Sequence, residues 1–237
     1  MPALAEKCIE SWKKHLPGYK IKEWNEDNFD LDSYPYAREA YDKRKFAFAT
    51  DIVRLYALYN EGGIYMDTDV EVLKSFDPFL DNPAFAGFEN EQNISTAIMA
   101  AEKGSPWAKE NLENYNGRHF VLPDGTLDTT TNVTTITNSM LKHGFRQNDT
   151  LQRFPGLVTI YPHDFFSPKS TIDFRVRKTS NTIAIHHFDC SWQDNRRSRK
   201  VKKAIQSILG QRLVRHGSHL KYGLLRMLGL SDKHSEI

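Results

Sequence analysis

Asp67 and Asp69 stand one residue apart in the stretch Gly62-Gly63-Ile64-Tyr65-Met66-Asp67-Thr68-Asp69-Val70-Glu71-Val72-Leu73. Alternation from Ile64 onward places Tyr65, Asp67, Asp69, Glu71 and Leu73 on one side of a strand, with Ile64, Met66, Thr68, Val70 and Val72 on the other. At about 3.3 Å per residue the two aspartate backbones lie roughly 6 to 7 Å apart, a gap their side chains close around one hard cation where the strand ends or bends. A cation so held suits a diphosphate. The same alternation also marks a strand with one wet face, so the neighbourhood has to decide.

Two further groups belong to that neighbourhood. Asp51 and Arg54 sit inside an otherwise apolar run, where a charge is costly unless paired, either with its neighbour at i,i+3 or with a ligand. The second is His186-His187-Phe188-Asp189-Cys190-Ser191-Trp192. Adjacent residues of a strand face opposite ways, so one of the two histidines at most reaches a cleft if the other packs in the core. A neutral imidazole ligates a transition metal, and an indole can lie against a base or sugar. Packing and hydrogen bonding are the plainer role for such histidines.

The elements that must position these residues follow from periodicity. Leu4, Cys8, Ile9 and Trp12 repeat at helical spacing up to Pro17-Gly18; a short strand, Tyr19 to Trp24, and a polar loop, Asn25 to Ser33, come next. Pro35 opens a helix through about Arg44. The helix Phe46 to Asn60 is apolar round most of its circumference, which predicts burial on nearly all sides, and Gly62-Gly63 cap it and turn the chain into the Asp-x-Asp strand. Lys74 to Pro83 reads as turns, Ala84 to Phe88 as a strand, Ile94 to Ala101 as a strand or a helical turn, and Pro106 to about Tyr115 as a helix. Leu122 to Gly125 is a turn. Thr129 to Thr137 leads into a helix near Met140; its hydroxyls and Asn132 suit a sugar site, while helix capping explains them more simply. Val158 to Tyr161 and Thr182 to His187 read as strands.

At 237 residues the chain supports a full core and a cleft. Cys8 and Cys190 are the only cysteines, which suggests a reducing compartment and offers no thiolate metal site. Neither a transmembrane run nor the apolar centre of a signal peptide is evident, so the expected location is the cytoplasm. Charge divides the chain: residues 194–237 hold 11 Lys or Arg against Asp194, Asp232 and Glu236, while the preceding part carries 21 basic and 27 acidic side chains.

The combination Phe48-Ala49-Thr50-Asp51-Ile52-Val53-Arg54-Leu55, then Tyr59-x-x-Gly62-Gly63-Ile64-Tyr65-Met66-Asp67-Thr68-Asp69, resembles the sugar-binding region of glycosyltransferase family 32. That family includes bacterial capsule and cell-wall glycan transferases and yeast mannosyltransferases, and it shares its motif with glucosylating clostridial toxins. Ser11-Trp12, Pro17-Gly18-Tyr19, Trp24-Asn25-Glu26, Asn132 to Thr137, and His186-His187 with Ser191-Trp192 extend the likeness over residues 6 to 192.

The resemblance implies an α/β nucleotide-sugar transferase fold of the GT-A type, with a Rossmann-like mixed, mostly parallel sheet flanked by helices. Residues 1–193 would form the catalytic domain and 194–237 a basic helical tail. It implies a retaining transfer from a nucleotide-diphosphate sugar, UDP-sugar being the first candidate, to a glycan or lipid-linked glycan acceptor. Asp51 and Arg54 would contact the donor sugar, Tyr65 and Asp67 the nucleotide side, and Ser191 and Trp192 the leaving diphosphate. Mn²⁺ or Mg²⁺ would be bound by Asp69, assisted by Asp67, with His186 or His187 as third ligand. Members open with a strand approximating Ile-Pro-Lys-x-Ile-His-x-x-Trp-Phe-Gly-Gly, whereas this sequence starts Met1-Pro2-Ala3-Leu4, so the expected sheet lacks that N-terminal strand.

In the tail, Val201, Ile205, Ile208, Leu209 and Leu213 keep helical spacing among six basic residues between Arg196 and Lys203, with Leu220, Leu224 and Leu228 beyond. Residues 196–228 thus have the composition of a helix lying on an anionic membrane surface, which would make the protein peripheral on the inner face of the cell membrane, or of a helix packed back on the domain with a solvated basic face. Nothing in the pattern suggests nucleic acid binding. Two other readings compete: a non-catalytic, membrane-associated sugar-nucleotide-binding module, and an Mg²⁺-dependent aspartyl phosphatase. The phosphatase motif wants Thr or Val where this chain has Glu71.

Overall fold

The computed structural model describes residues 1–189. Helix α1, Ala3–His15, comes first, followed by α2, Pro35–Asp42, which begins on a proline, and α3, Phe46–Asn60. Strands β1, Gly63–Met66, and β2, Val70–Val72, precede a hairpin of β3, Ala84–Phe88, and β4, Ile94–Ala101. Then come α4, Pro106–Glu113, α5, Asn132–Leu141, β5, Gln152–Phe154, β6, Val158–Tyr161, α6, His163–Phe166, and β7, Ala184–His186.

Five strands form one sheet in the order β1-β4-β3-β6-β5, and β2 pairs with β7 in a second, two-stranded sheet. The fold is mixed α/β, as expected, but its larger sheet is not mostly parallel. Only β3 and β6 pair in parallel; β1–β4, β3–β4 and β5–β6 are antiparallel. The cause is connection length: a loop of a few residues joins β3 to β4 and another joins β5 to β6, and only the long excursion through α4 and α5 gives room for a crossover.

Alternation along β3 and β4 divides the core. Ala84, Ala86, Phe88 and Met99 pack with Ile52, Leu55, Trp107 and Met140 of the helices, while Phe85, Ile98 and Ala100 pack with Trp12, Val70, Phe76 and Phe166. Helix α1 belongs to the second cluster and seals the outer edge of β2. Trp12 Nε1 donates to the Val70 carbonyl at 2.7 Å, and Ser11 Oγ accepts from Val72 N at 2.9 Å, so backbone groups that would face solvent at a strand edge are satisfied by side chains. Cys8, on the same helix, is fully buried, and burial together with the charges of Glu71 and Asp69 pushes its thiol up to about 11.

Gly62 is required by space. Its φ is +73°, and a Cβ there would stand 2.6 Å from the backbone nitrogen of Lys103. The tight turn brings β1 directly off the end of α3.

Three further sequence expectations differ from the structure. Tyr19 to Trp24 forms no strand: Ile21 is 50% exposed, and no neighbouring strand pairs with the segment. Phe46 is exposed, with the edge of its ring against Tyr41 of α2. The stretch from Ile64 to Leu73 is two strands in two sheets, broken at Asp67 to Asp69.

Candidate functional site

That break builds the site. Asp67 N still donates to the Ala97 carbonyl at 2.9 Å, continuing the β1–β4 ladder, and Val70 N then donates to the Asp67 carbonyl at 3.0 Å, closing a turn through which the chain crosses to β2. Asp67 therefore hangs from the five-stranded sheet and Asp69 from the entry to the two-stranded one.

Asp67 is held from the α3 side. Tyr65 Oη donates to its Oδ1 at 2.7 Å, and Arg54 Nη2 lies 3.7 Å from the same oxygen. Arg54 is buried, donates through Nη1 to the Thr96 carbonyl at 2.8 Å, places Nη2 3.2 Å from Asp51 Oδ1, and stacks 4.7 Å over the Tyr65 ring. The internal ion pair expected of Asp51 and Arg54 is thus present, and both side chains also border the motif. Burial pushes the Asp51 carboxyl up to about 7; Arg54 pulls it down and Asp67 adds to the rise. Burial works against the Arg54 cation, but Tyr65, Asp67 and Asp51 outweigh it and hold the guanidinium charged. Burial also keeps Tyr65 a phenol, hence a donor to Asp67.

Behind Asp51 stands the start of α5. Thr131 caps this helix, its hydroxyl accepting from Thr134 N, so the capping role of the Thr-rich segment is real. Asn132 also reaches the site: its backbone N–H donates to Asp51 Oδ2 at 3.3 Å, its Nδ2 donates to Tyr115 Oη at 2.9 Å, and its buried Oδ1 has no partner among the described residues.

Asp69 is held by the segment after β7. Its Oδ2 accepts from Asp189 N at 2.8 Å, its carbonyl accepts from His187 N at 3.0 Å, and its Oδ1 lies 3.5 Å from His186 Nε2. One ligand atom each from Asp67, Asp69 and His186 fall within 4.8 Å of one another. Burial lowers the His186 pKa, against the pull of the two aspartates, leaving a neutral imidazole, which is the form that ligates metal. Two carboxylates and a neutral imidazole fit a divalent ion.

Of the two histidine candidates the structure brings His186 to the aspartates and turns His187 away. Alternation past the end of β7 sends the His187 ring toward Glu71, with Nε2 2.9 Å from Oε2, and Lys7 Nζ binds the same oxygen at 2.8 Å. His187 is a clamp between strands rather than a member of the ligand group. Ser191, Trp192, the boundary at 193 and the basic tail lie outside the described residues.

One acidic residue escaped sequence reasoning. Glu89 ends the buried run of β3 and keeps only partial exposure; burial, then the charge of Asp67, pushes its carboxyl up to about 7. Its sequence signal was slight: a carboxylate immediately after an unbroken apolar strand.

Residues 2–86 match the family described as glycosyltransferase sugar-binding region containing DXD motif. Over these residues the chain is similar to that glycosyltransferase family. Among its relatives, inositol phosphoceramide mannosyltransferase 3 of Schizosaccharomyces pombe is 31% identical over 118 residues, covering 47% of this chain and 33% of that protein. Mannosyl phosphorylinositol ceramide synthase SUR1 of Saccharomyces cerevisiae is 25% identical over 123 residues, covering 49% and 31% respectively. Toxin Afp18 of Yersinia ruckeri is 37% identical over 118 residues, covering 46% of this chain and 6% of the toxin. A solved PaToxG glycosyltransferase structure aligns at a TM-score of 0.43 and 19% identity, covering 60% of this chain and 63% of that one. The chain spans about a third of the length of the yeast relatives it matches. In the sugar-binding region Asp51, Arg54, Tyr65, Asp67 and Asp69 all fall within the matched residues, while Glu89, Asn132 and His186 come from the part beyond it.

Proposed function

We propose that this protein transfers a sugar from a nucleoside-diphosphate sugar to an acceptor hydroxyl, on a nucleotide-sugar transferase fold of the GT-A type. The observation that carries this reading is the convergence of Asp67, Asp69 and His186 within 4.8 Å, directly beside the buried Asp51–Arg54 pair. Asp67, Asp69 and His186 would hold a divalent ion; the imidazole favours Mn²⁺ over Mg²⁺, which prefers oxygen ligands. When bound, such an ion supplies Lewis-acid stabilisation of the negative charge that grows on the departing diphosphate.

The chain's own residues do the rest. Asp51 and Arg54 exchange part of their mutual hydrogen bonding for the sugar's hydroxyls and so orient the ring. Tyr65 fixes the Asp67 carboxylate, and Asn132 offers an unused carbonyl oxygen next to Asp51. Ser191 and Trp192, outside the described residues, would sit near the leaving diphosphate. The working mechanism is a front-face displacement with retention: the acceptor oxygen bonds to the anomeric carbon on the side from which the diphosphate leaves, and its proton passes to the departing phosphate oxygen. The names of the yeast relatives support a mannosyl donor and an acceptor on a lipid headgroup. A basic stretch at 196–228 would bring the site to an anionic membrane surface carrying a lipid-linked glycan acceptor.

The test is calorimetric titration of UDP and of GDP with and without Mn²⁺, alongside Asp69→Ala. Metal-dependent binding of one nucleotide that disappears in the variant is the expected result; absence of binding for both overturns the reading. In a transfer assay Asp69→Asn should lower turnover by on the order of 10²-fold or more.

A further inference from the structure

The sheet topology brings a second carboxylate to the edge where Asp67 lies. Strands β1 and β3 are both antiparallel to β4, so they run in the same direction and end on the same side of the sheet. In open α/β sheets that side, beyond the carboxyl ends of co-directional strands, is where ligands bind. β1 delivers Asp67 there, and β3 delivers Glu89. The strands lie two spacings apart, about 10 Å, with Asp67 level with Ala97 and Glu89 level with Asn93 on β4, a separation that two carboxylate side chains and a sugar ring between them can span.

Glu89 is firmly mounted. Its backbone N–H donates to the Asn93 carbonyl at 2.7 Å; Asn90 Oδ1 accepts from Gln92 N and Asn93 N, tightening the loop; and Ile94 N donates to Thr137 Oγ1 of α5 at 3.0 Å. The side chain, by contrast, has no hydrogen-bond or ion-pair partner among the described residues. Other carboxylates withdrawn from solvent are engaged: Asp51 by Arg54, Glu71 by Lys7 and His187, Asp128 by Arg118, Glu110 by Ser139 and His143. The charged group that bears on Glu89 is Asp67, of like sign, and together with burial it favours the protonated acid. Asp67 bears on Asp51 as well. An unpartnered carboxyl in such a place is costly unless a ligand's hydrogen bond completes it.

We propose that Glu89 is a specificity-determining contact of the transferred sugar, hydrogen-bonding a ring hydroxyl at the sheet edge that also carries Asp67. This rests on the donor-site reading above and adds to it a residue outside the matched sugar-binding region. The sugar then lies along the sheet edge, gripped by α3 on one side and by the β3–β4 hairpin on the other. Its hydroxyl stereochemistry at the Glu89 side is what the protein selects.

The experiment is calorimetry in Mn²⁺ on the full chain, on Glu89→Gln and on Glu89→Ala. Each is titrated with UDP, GDP, UDP-glucose, UDP-galactose, UDP-N-acetylglucosamine and GDP-mannose, with thermal midpoints recorded in parallel. The bare nucleotides report the donor site; the difference between a sugar nucleotide and its bare nucleotide reports the sugar contact. Both variants should bind the bare nucleotide within about twofold of wild type. Glu89→Ala should weaken the preferred sugar nucleotide by roughly tenfold or more and flatten the preference among sugars, with Glu89→Gln intermediate. Unchanged sugar affinity and preference in both variants overturns the role of Glu89 while leaving the donor site intact, as does a wild-type protein that gains nothing from any of the sugars. Equal loss of bare-nucleotide binding in both variants, at unchanged midpoint, overturns it in favour of a part in diphosphate or metal binding. Failure of the wild type to bind either bare nucleotide overturns the donor-site reading and this one with it.

Discussion

Arg54 is the side chain on which the most site contacts converge. It satisfies the Thr96 carbonyl, pairs with Asp51, approaches Asp67 and stacks on Tyr65. Replacing it by methionine leaves two carboxylates facing each other without a cation, so Arg54→Met should destabilise the fold by about 3–5 kcal/mol, read from the urea midpoint. The loss should depend on pH. Asp51 titrates at about 7 in the folded protein against an ordinary 3.8, so the folded state keeps this proton through that window and stability from this group falls as pH rises across it. Without Arg54 the carboxyl rises further, and the decline should extend to higher pH; equal midpoint differences at pH 5 and pH 8 would refute this. Asp51 and Arg54 were legible in the sequence because two charges interrupt an apolar helix. Glu89 was not, because a single Glu after a strand looks like any solvated turn residue until topology shows where that strand ends.

Among the elements, β2 and β7 decide whether Asp69 meets His186. The two strands are short, and the clamp of Glu71, His187 and Lys7 ties them at the end nearest the aspartates. Burial alone would raise the Glu71 carboxyl, but the Lys7 and His187 hydrogen bonds lower it below its ordinary 4.5, so this clamp adds stability above that pH and loses it as pH falls. Glu71→Gln should weaken Mn²⁺ binding by roughly 10- to 100-fold, measured calorimetrically, with far-ultraviolet circular dichroism unchanged. Equal metal affinity in the variant would show that the ligands hold their own positions. Helix α3 and strand β3 could be placed from sequence because apolar runs and their punctuation fix them locally, while the run that forms β4 could be located but not told from a helix until its pairing with β1 and β3 was seen. The passage from β1 to β2 could not, since apolar and polar residues alternate through the turn as they would through a strand, and pattern alone does not say which sheet a residue joins. Tyr19 to Trp24 misled for the complementary reason: it has strand composition but no neighbour to pair with.

At the scale of the whole molecule, the larger sheet separates two apolar layers, and the candidate site lies where the chain leaves that sheet for the smaller one. Layering was legible in outline, because strands with no polar face must be covered on both sides. The mostly antiparallel order was not, because it depends on which loops are too short for a crossover. Among the described residues no helix is long and apolar enough to cross a membrane. The second layer is closed by α1, which touches β2 through Ser11 and Trp12 and carries Cys8 on the same buried side. That thiol is a built-in clock. Being inaccessible and hard to ionise, it reacts with an alkylating reagent only in those moments when the first helix swings free. In a Cys190→Ser background, iodoacetamide at pH 8 should therefore label Cys8 orders of magnitude more slowly than a free thiol, with Ser11→Ala quickening it by about fivefold. Labelling at the free-thiol rate would mean that the helix is not docked. The tempo of that reaction counts how often the strand that follows Asp69 loses its cover.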